Sequence, residues 1–170
     1  MTLIEAIQFL DESIPDKRKG LPDEIFYFVS RITPLVNVDL LVQDKFGRIL
    51  LSWRDDEYCG KGWHIPGGIV RYKEALIDRL QKTALSELGT EVNFNSTPLH
   101  IGEGIISEHN NRGHFISFLY RCAVPDGYIP QNDNIFPQTP GFLQWHNKCP
   151  SDLLKVQNAY RQFIEDALKQ

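Results

Sequence analysis

The 170-residue sequence has few of the features that mark secreted or membrane-spanning proteins. Its three cysteines are odd in number and widely spaced, which disfavours a disulfide framework or a paired thiol metal site. Reduced cytosolic thiols are the simplest interpretation. No apolar run is long enough to cross a bilayer, and the N-terminus has no basic region ahead of an apolar one, as a signal peptide would. These absences predict a cytoplasmic protein without a membrane partner.

Basic residues are also in the minority. The 18 Lys and Arg residues are outnumbered by 22 Asp and Glu residues, and the net charge is −4. No basic stripe of the kind that binds nucleic acid is visible, so a nucleic-acid partner is not expected. If the ligand is an anion, its attraction must be local and must come from a bound cation, a few arginines and backbone amides. The length and the 42% hydrophobic content suit one domain with a substantial core.

The hydrophobic periodicity predicts strands that flank a central helix, with further helices near both ends of the chain. Helices are predicted at 2–14, 23–32 and 74–88 and from about Pro150 almost to the end, and strands at 36–42, 49–54, 99–106, 114–124 and 143–145. A polar loop is predicted at 55–61 and a long, proline-containing loop at 125–141; loops of that length are often functional. This order favours an α+β fold, an α/β/α sandwich on a mixed sheet. We interpret residues 1–22 as a helical extension, used for packing or dimer formation, ahead of one domain at 23–170.

The predicted central helix carries a carboxylate on its apolar side. At about 100° per residue, Leu76, Leu80, Ala84 and Leu88 share one face, and Glu87 falls among them. The C-terminal end of a helix is the negative pole of its dipole, so a carboxylate there needs a cation, and Mg²⁺ with oxygen ligands is a natural one. The alternative, a frayed last turn with Glu87 in water, is equally open at this point.

The same region resembles a known motif, the Nudix box. That pattern is Gly, five residues, Glu, seven residues, then Arg-Glu-apolar-any-Glu-Glu-any-Gly-apolar. From Gly68 to Gly89 the spacing is intact, but Lys82, Thr83 and Ser86 replace the arginine and two of the glutamates. A Nudix box that lacks these charged residues is similar to that of the GDP-mannose mannosyl hydrolase branch of the Nudix family. The likeness extends to the segments 33–39, 50–54 and 62–68.

The resemblance implies a Nudix-type fold and a hydrolase that uses Mg²⁺, or Mn²⁺, on a small-molecule nucleotide. The substrate class it implies is a nucleoside diphosphate linked to another moiety, above all a nucleotide sugar such as GDP-mannose. Two alternatives stay open. One is a catalytically weak or inactive module that binds nucleotide sugars, and the other is a Nudix pyrophosphohydrolase of another nucleotide. A homodimer is also expected.

Carried over position by position, the resemblance implies a metal and diphosphate site. The carbonyl of Gly67 and the carboxylate of Glu87 would bind the metal, and Gln138 could reach it as a further ligand. Arg54 would contact the diphosphate and stabilise the leaving nucleotide. These residue types suit the task, because Mg²⁺ accepts carbonyl and carboxylate oxygens and arginine offers a planar fork to phosphate oxygens.

Other positions are implied to hold the organic parts of the substrate or to support the motif. Asp39 would hold the sugar or an arginine, and Phe26 would stack on the base, across a dimer interface if one forms. Glu74 and Lys82 would brace the turn into the central helix. The structural members of the box are then Gly68, Glu74, Lys82 and Gly89.

Two departures from the branch concern the chemistry directly. The arginine that follows the glycine pair in the branch is Ile69 here, and Arg71 is the candidate substitute. The branch also carries Gln-His in the loop before its late tryptophan, whereas this chain has Thr139 and Pro140 there. His114 is the first candidate for the missing catalytic base. The further candidates are His64, His100, His109, His146 and Glu108.

Overall fold

The computed structural model describes residues 1–169 and consists of a central mixed sheet with helices on both faces. The strands are β1 (Leu35–Gln43), β2 (Ile49–Asp56), β3 (Gly60–His64), β4 (Gly67–Ile69), β5 (Asn93–Phe94), β6 (His100–Ile105), β7 (His114–Ala123) and β8 (Leu143–His146). The α-helices are α1 (Leu3–Glu12), α2 (Asp23–Val29), α3 (Leu76–Leu88) and α4 (Arg161–Ala167), and short 3-10 helices span Lys17–Lys19 and Lys155–Tyr160. The α+β fold expected from the sequence is confirmed.

The middle of the sheet is the pair β1 and β7. They run parallel in continuous register from the pair Leu35–Phe115 to the pair Gln43–Ala123. On its other side β1 pairs antiparallel with β4 near its beginning and with β2 near its end, and β2 also pairs with β3 and β8. A strand that is paired on both edges and covered on both faces is mostly apolar, and six of the nine residues of β1 are.

Two apolar clusters pack on the opposite faces of the sheet. Successive side chains of a strand point to opposite sides, so Leu40 packs towards α3 through Leu80, whereas Leu41 packs towards α4 through Ile164. All four side chains are fully buried. Burial of one leucine contributes about 1.5–3 kcal/mol, so these layers fix α3 and α4 firmly on the sheet. The result is the α/β/α sandwich predicted from the sequence.

Helix α3 begins two residues later than predicted and ends where predicted. Its start is at Leu76 because the Glu74 side chain folds back and accepts a hydrogen bond from the backbone N–H of Arg71. At the other end Gly89 has φ of 70°, and its N–H donates to the carbonyl of Leu85. Glycine adopts this left-handed conformation at little cost, which is why it ends so many helices.

Three strands were not predicted, and each is glycine-containing or very short. The segment 55–61, predicted as a loop, is instead largely a hairpin: β2 continues to Asp56, and β3 begins at Gly60. Strand β4 contains the glycine pair, and β5 has only two residues. The prediction of a loop was wrong because strand propensity is weak evidence where neighbouring strands supply the hydrogen bonds.

The C-terminal segment also differs from its prediction. Instead of one helix from about Pro150, the chain forms a 3-10 helix at Lys155–Tyr160 and then α4. The residues before the helix are held by the sheet: the N–H of Trp63 donates to the carbonyl of Asp152, and the N–H of Leu154 donates to the carbonyl of Trp63. These bonds keep 152–154 extended and delay the start of the helix.

The first helix lies outside both clusters. Helix α1 has a complete capping box, in which Thr2 and Glu5 satisfy each other's backbone N–H groups, but none of its residues is buried. Leu3, Ile4 and Ile7 of its apolar face are more than half exposed. Across residues 1–169, no helix is long and apolar enough to cross a membrane. The boundary at residue 22 between an extension and the main domain stays a prediction.

Candidate active site

The glycine pair lies where strand β4 passes between a carboxylate and helix α3. Gly67 pairs with Asp39 across the sheet, and a Cβ at Gly67 would collide with the Asp39 carboxylate. A Cβ at Gly68 would collide with the hydroxyl of Thr83 on α3. Both positions therefore need glycine for space rather than for an unusual backbone conformation, and the strand lies close to both neighbours.

Asp39 is a buried carboxylate on the central strand, with 5% of its surface exposed. The hydroxyl of Tyr160 donates to Asp39 Oδ2 over 2.6 Å. Burial raises the pKa of Asp39 to about 6, although hydrogen bonds from Tyr160 and Ser117 and the positive charge of Arg54 oppose the rise. The carboxylate is thus held in a fixed position by residues that lie far apart in the sequence.

Glu87 lies against the glycine pair from the side of α3. The backbone N–H of Gly67 donates to its carboxylate. Desolvation raises the pKa of Glu87 to about 7; the charge of Arg54 opposes this rise, whereas the charge of Asp39 adds to it. The helix is intact up to Leu88, so the structure places this carboxylate against β4 rather than in bulk water.

Three cavities surround these groups and share one arginine. The first cavity, about 700 Å³, contains Asp39, Gly67 and Arg71; the second, about 510 Å³, contains Glu87; the third, about 350 Å³, contains Tyr160. Arg54 lines all three. The volume of the first two is in the range of small-molecule sites.

Arg54 is the cation at the centre of this arrangement. Its Nε lies 3.4 Å from Asp56 Oδ2, and about a third of its side chain is exposed. Its positive charge lowers the pKa values of Asp39, Glu87 and His64. Its Nη1 also donates weakly to Cys59 Sγ over 3.9 Å. A guanidinium with two such loose partners retains donors for a phosphate group that enters any of the cavities.

His64 is the histidine that the fold brings to this place. It is buried, it lines both the first and the second cavity, and its Nδ1 lies 2.8 Å from the carbonyl oxygen of Ser52. Burial and the charge of Arg54 lower the pKa of His64 to about 3. The ring is therefore neutral near pH 7, with Nδ1–H donating to Ser52 and Nε2 left as an acceptor. The sequence marked it only as one of five histidines.

The turn before α3 is held by an ion-pair network around Glu74. This carboxylate is 5% exposed and lies 2.7 Å from Arg79 Nε and 2.9 Å from Lys82 Nζ. Burial alone would raise its pKa, but the hydrogen bonds from Lys82 and Arg79 outweigh burial and lower it to about 2. The structure thus places Glu74 and Lys82 together, as the box spacing implied, and adds Arg79 as a partner that the box pattern does not contain.

Phe26 faces the first cavity and belongs to a cluster of rings around Arg112. The guanidinium carbon of Arg112 lies 5.9 Å from the centre of the Phe26 ring and 4.9 Å from that of Tyr58. The backbone of Arg112 has φ of 52°, and its N–H donates to Ser30 Oγ. Phe26 is therefore in a position to contact a ligand within a single copy of the chain.

Two residues predicted for the site lie elsewhere. His114 Nε2 is 3.0 Å from Glu103 Oε1, and His114 lines none of the three cavities. Gln138 is exposed, with φ of 64°, and lines none of them either. Gln131 of the same loop lines the second cavity instead, against Gly89. The roles of His114 as base and Gln138 as metal ligand stay predictions, and neither placement supports them.

The donor set suits a hard cation with few protein ligands. Within residues 1–169, no three His, Cys, Asp or Glu side chains form a group that could hold a metal ion. Glu87 and Asp39 are nevertheless close enough for one charge to affect the other. Two desolvated carboxylates, of which Asp39 raises the proton affinity of Glu87, fit a divalent cation bound by oxygen, which keeps waters or substrate oxygens as its other ligands.

Comparison with known proteins identifies the family of the chain. The model of the NUDIX domain family matches residues 33–167, which is most of the chain. The protein therefore belongs to the Nudix family. A sequence relative, the low-salt glycan biosynthesis protein Agl8 of Haloferax volcanii, is 37% identical over 109 residues, which are 62% of this chain and 69% of the relative.

Solved structures show the same fold at low identity. A possible asymmetric diadenosine tetraphosphate hydrolase of Jonesia denitrificans matches with a TM-score of 0.63 and 20% identity, over 81% of this chain and 96% of that one. A MutT Nudix hydrolase of Burkholderia pseudomallei has a TM-score of 0.60 and 23% identity, over 81% and 98%. A UDP-X diphosphatase has a TM-score of 0.57 and 18% identity and covers 98% of this chain and 78% of its own.

Proposed function

We propose that this chain is a Mg²⁺-dependent hydrolase of nucleotide sugars, that is, of a nucleoside diphosphate linked to a sugar. The observation that carries the proposal is the meeting of Glu87, Asp39 and Arg54 around Gly67, between the first and second cavities. Two carboxylates for a cation and one arginine for phosphate oxygens form a site for a metal-bound diphosphate. Membership of the Nudix family supports hydrolysis of this class.

Each residue has a distinct task in this proposal. Glu87 and the Gly67 carbonyl would hold Mg²⁺, which would supply charge neutralisation for the diphosphate. Arg54 binds the same diphosphate and stabilises the negative charge that develops on the departing nucleoside diphosphate. Asp39, fixed by Tyr160, accepts a hydrogen bond from a sugar hydroxyl, and Phe26 packs against the base.

The choice of a sugar as the second moiety is supported by the relative from Haloferax volcanii, whose name assigns it to glycan biosynthesis. The size of the first cavity also suits it, because about 700 Å³ is enough for a large part of a nucleotide sugar. GDP-mannose is the first substrate to test, since the thinned box resembles the mannosyl hydrolase branch. The homodimer expected from the sequence stays a prediction.

The test is incubation of the full chain with a panel of nucleotide sugars, with and without Mg²⁺. Attack of water at the sugar carbon gives the nucleoside diphosphate and free sugar, whereas attack at phosphorus gives the nucleoside monophosphate and sugar 1-phosphate. Either product pair, dependent on Mg²⁺ and abolished by Glu87→Gln, supports the proposal. Turnover of a dinucleoside polyphosphate but of no nucleotide sugar would favour a pyrophosphohydrolase of another nucleotide.

A second candidate, a nucleotide-sugar-binding module without turnover, is favoured by one observation. In the described part of the chain, neither His114 nor Gln138 lies at the cavities, and no third carboxylate forms a metal-binding group with Glu87 and Asp39. Binding of GDP-mannose by the wild type in calorimetry, with no product after prolonged incubation with Mg²⁺ or Mn²⁺, would identify this function.

A further inference from the structure

The first cavity is built partly by residues that precede the matched family domain. The family match begins at residue 33, yet Lys17, Gly20 and Leu21 line the cavity together with Gly67 and Arg71. The N-terminal extension is therefore not only an appendage with an exposed first helix. Its second half, the segment 15–22, closes one side of the space in which the substrate is proposed to bind.

This segment lies directly against Arg71. Gly20 has φ of 113°, and the guanidinium carbon of Arg71 is 3.7 Å from the position that a Cβ at Gly20 would occupy. The backbone at Gly20 is in a conformation that favours glycine. Lys17, three residues earlier, lines the same cavity as Tyr72. The segment thus borders the cavity on the side of the residues that follow the glycine pair.

The charge of the cavity wall has one dominant sign. Five of the lining side chains are cationic and only Asp39 is anionic; the cations are Lys17, Arg54, Arg71, Arg79 and Arg112. Within residues 1–169, no carboxylate lies within 4.0 Å of the guanidinium of Arg71 or of Arg112. Arg79 is about nine-tenths buried and pairs with Glu74 through Nε, but its Nη2 is buried without a partner. In a chain with net charge −4, this is a local concentration of positive charge, only part of which is paired with carboxylates.

Lys17 can join these donors despite its own ion pair. Its Nζ lies 2.5 Å from Asp11 Oδ1, and both side chains are well exposed to solvent. An exposed pair of this kind contributes little to stability, so an incoming anion competes with it readily. The ammonium also has three N–H donors, of which Asp11 occupies one.

We propose that Lys17, supplied by the N-terminal extension, forms with Arg71 and Arg79 a binding subsite for a phosphate-class anionic group of the substrate. The inference rests on the proposed function, since it places the diphosphate side of the nucleotide in the first cavity. It makes the extension a determinant of substrate binding. Gly67 also lines this cavity, and Arg54 lines both it and the second cavity with Glu87, so the subsite adjoins the proposed metal site.

The experiment compares two lysines of the same 3-10 helix in the full chain. Lys17→Ala removes the cavity lysine, and Lys19→Ala removes an exposed lysine that does not line the cavity. Calorimetry measures the Kd of GDP, of inorganic pyrophosphate and of guanosine for the wild type and each variant. A hydrogen bond from an ammonium to a phosphate oxygen is stronger than one between neutral groups, so loss of Lys17 is expected to raise the Kd of GDP and pyrophosphate by about tenfold.

The control variant Lys19→Ala and the ligand guanosine show whether the effect is specific to Lys17 and to phosphate. Lys19→Ala is expected to stay within about twofold of the wild type, since screened surface charge has little effect at 0.15 M salt. Guanosine lacks phosphate and should bind all three proteins equally. Arg71→Gln should weaken pyrophosphate binding in the same direction as Lys17→Ala. Equal effects of the two lysine variants on GDP, or a wild type that binds neither GDP nor pyrophosphate, would overturn the subsite.

The test of the subsite can fail or succeed independently of the test of the proposed hydrolase activity. Lys17-dependent pyrophosphate binding without turnover of any nucleotide sugar would support the subsite and contradict the hydrolase. Turnover whose KM is the same in Lys17→Ala and the wild type would support the hydrolase and overturn the subsite. If both hold, Lys17→Ala should raise KM and leave kcat within about twofold, because Lys17 is expected to bind ground state and transition state alike.

Discussion

The carboxylate of Asp39 occupies the space beside Gly67 in which any other residue would carry its Cβ. The two residues are also direct partners in the ladder between β1 and β4. The glycine and the aspartate therefore depend on each other: the missing side chain of one makes room for the functional group of the other. This relationship explains in physical terms why the residue at position 67 is glycine.

The first prediction is that Gly67→Ala disrupts the site. The added Cβ forces Asp39 or β4 to move, and overpacking of this kind costs about 1–3 kcal/mol. We expect a loss of stability in that range and loss of nucleotide binding. Gly104→Ala is the matched control, because no atom lies within 4 Å of the corresponding position in β6. Urea unfolding and calorimetry measure both effects, and equal behaviour of the two variants would contradict the account.

The second prediction concerns the charge of Glu87. Glu87→Gln keeps the size and the hydrogen bond from Gly67 but removes the negative charge that would hold Mg²⁺. Metal ions supply several kcal/mol of transition-state stabilisation, so kcat is expected to fall by about 100-fold or more. Glu91→Gln, an exposed change on the far side of Gly89, should leave kcat unchanged. If both variants retain activity and its dependence on Mg²⁺, Glu87 is not a metal ligand.

The third prediction is a pH dependence of stability that comes from His64. The folded chain keeps this ring neutral down to about pH 3, whereas in the unfolded chain it takes up a proton near its ordinary pKa of 6.5. The unfolded state therefore binds more protons between these values, and stability must fall as the pH decreases from 6.5 towards 3.

This contribution is about 1–2 kcal/mol between pH 6.5 and 5, and it is absent above pH 7.5. His64→Asn removes it while leaving an amide N–H close to the Ser52 carbonyl. The difference in unfolding free energy between variant and wild type, measured in urea at pH 7.5, 6.5 and 5, should therefore shift in favour of the variant as the pH falls. A difference that is constant with pH would show that His64 is not kept neutral by the fold.

The fourth prediction concerns the Glu74 network. Glu74→Gln leaves the nearly buried Arg79 without its carboxylate, and breaking a buried pair in this way costs about 3–5 kcal/mol. The pKa of Glu74 is lowered to about 2, so its contribution is complete above pH 4.5 and disappears as the pH falls towards 2. The free energies of unfolding of Glu74→Gln and wild type should thus converge at low pH. Glu108→Gln, an exposed control, should match the wild type throughout.

The sequence predicted those features that depend on local pattern. The wheel position of Glu87, the apolar faces of α3 and the cap at Gly89 follow from spacing along one segment, and the structure has all three. The alternation of apolar residues likewise gave β1 and β7. Recognition of the box from this spacing then indicated the fold as a whole, because the family match covers most of the chain.

The sequence could not predict those features that depend on long-range pairing. His64 reaches the cavities because β3 pairs with β2 and brings the ring to the carbonyl of Ser52, and no local pattern contains that information. In the late loop the chain presents Gln131 to the second cavity, whereas the family resemblance implied Gln138. Lys17 lines the first cavity only because the extension folds back onto the domain.

The bond between Tyr160 and Asp39 has a consequence for how the protein folds. The two residues are 121 positions apart in the sequence, and the parallel pairing of β1 with β7 also joins distant segments. Contacts of such long range form late and slow the search for the native state. The buried Asp39 carboxylate therefore gains its partner only when nearly the whole chain is available, and a ligand that needs Asp39 would report completed folding rather than the collapse of any fragment.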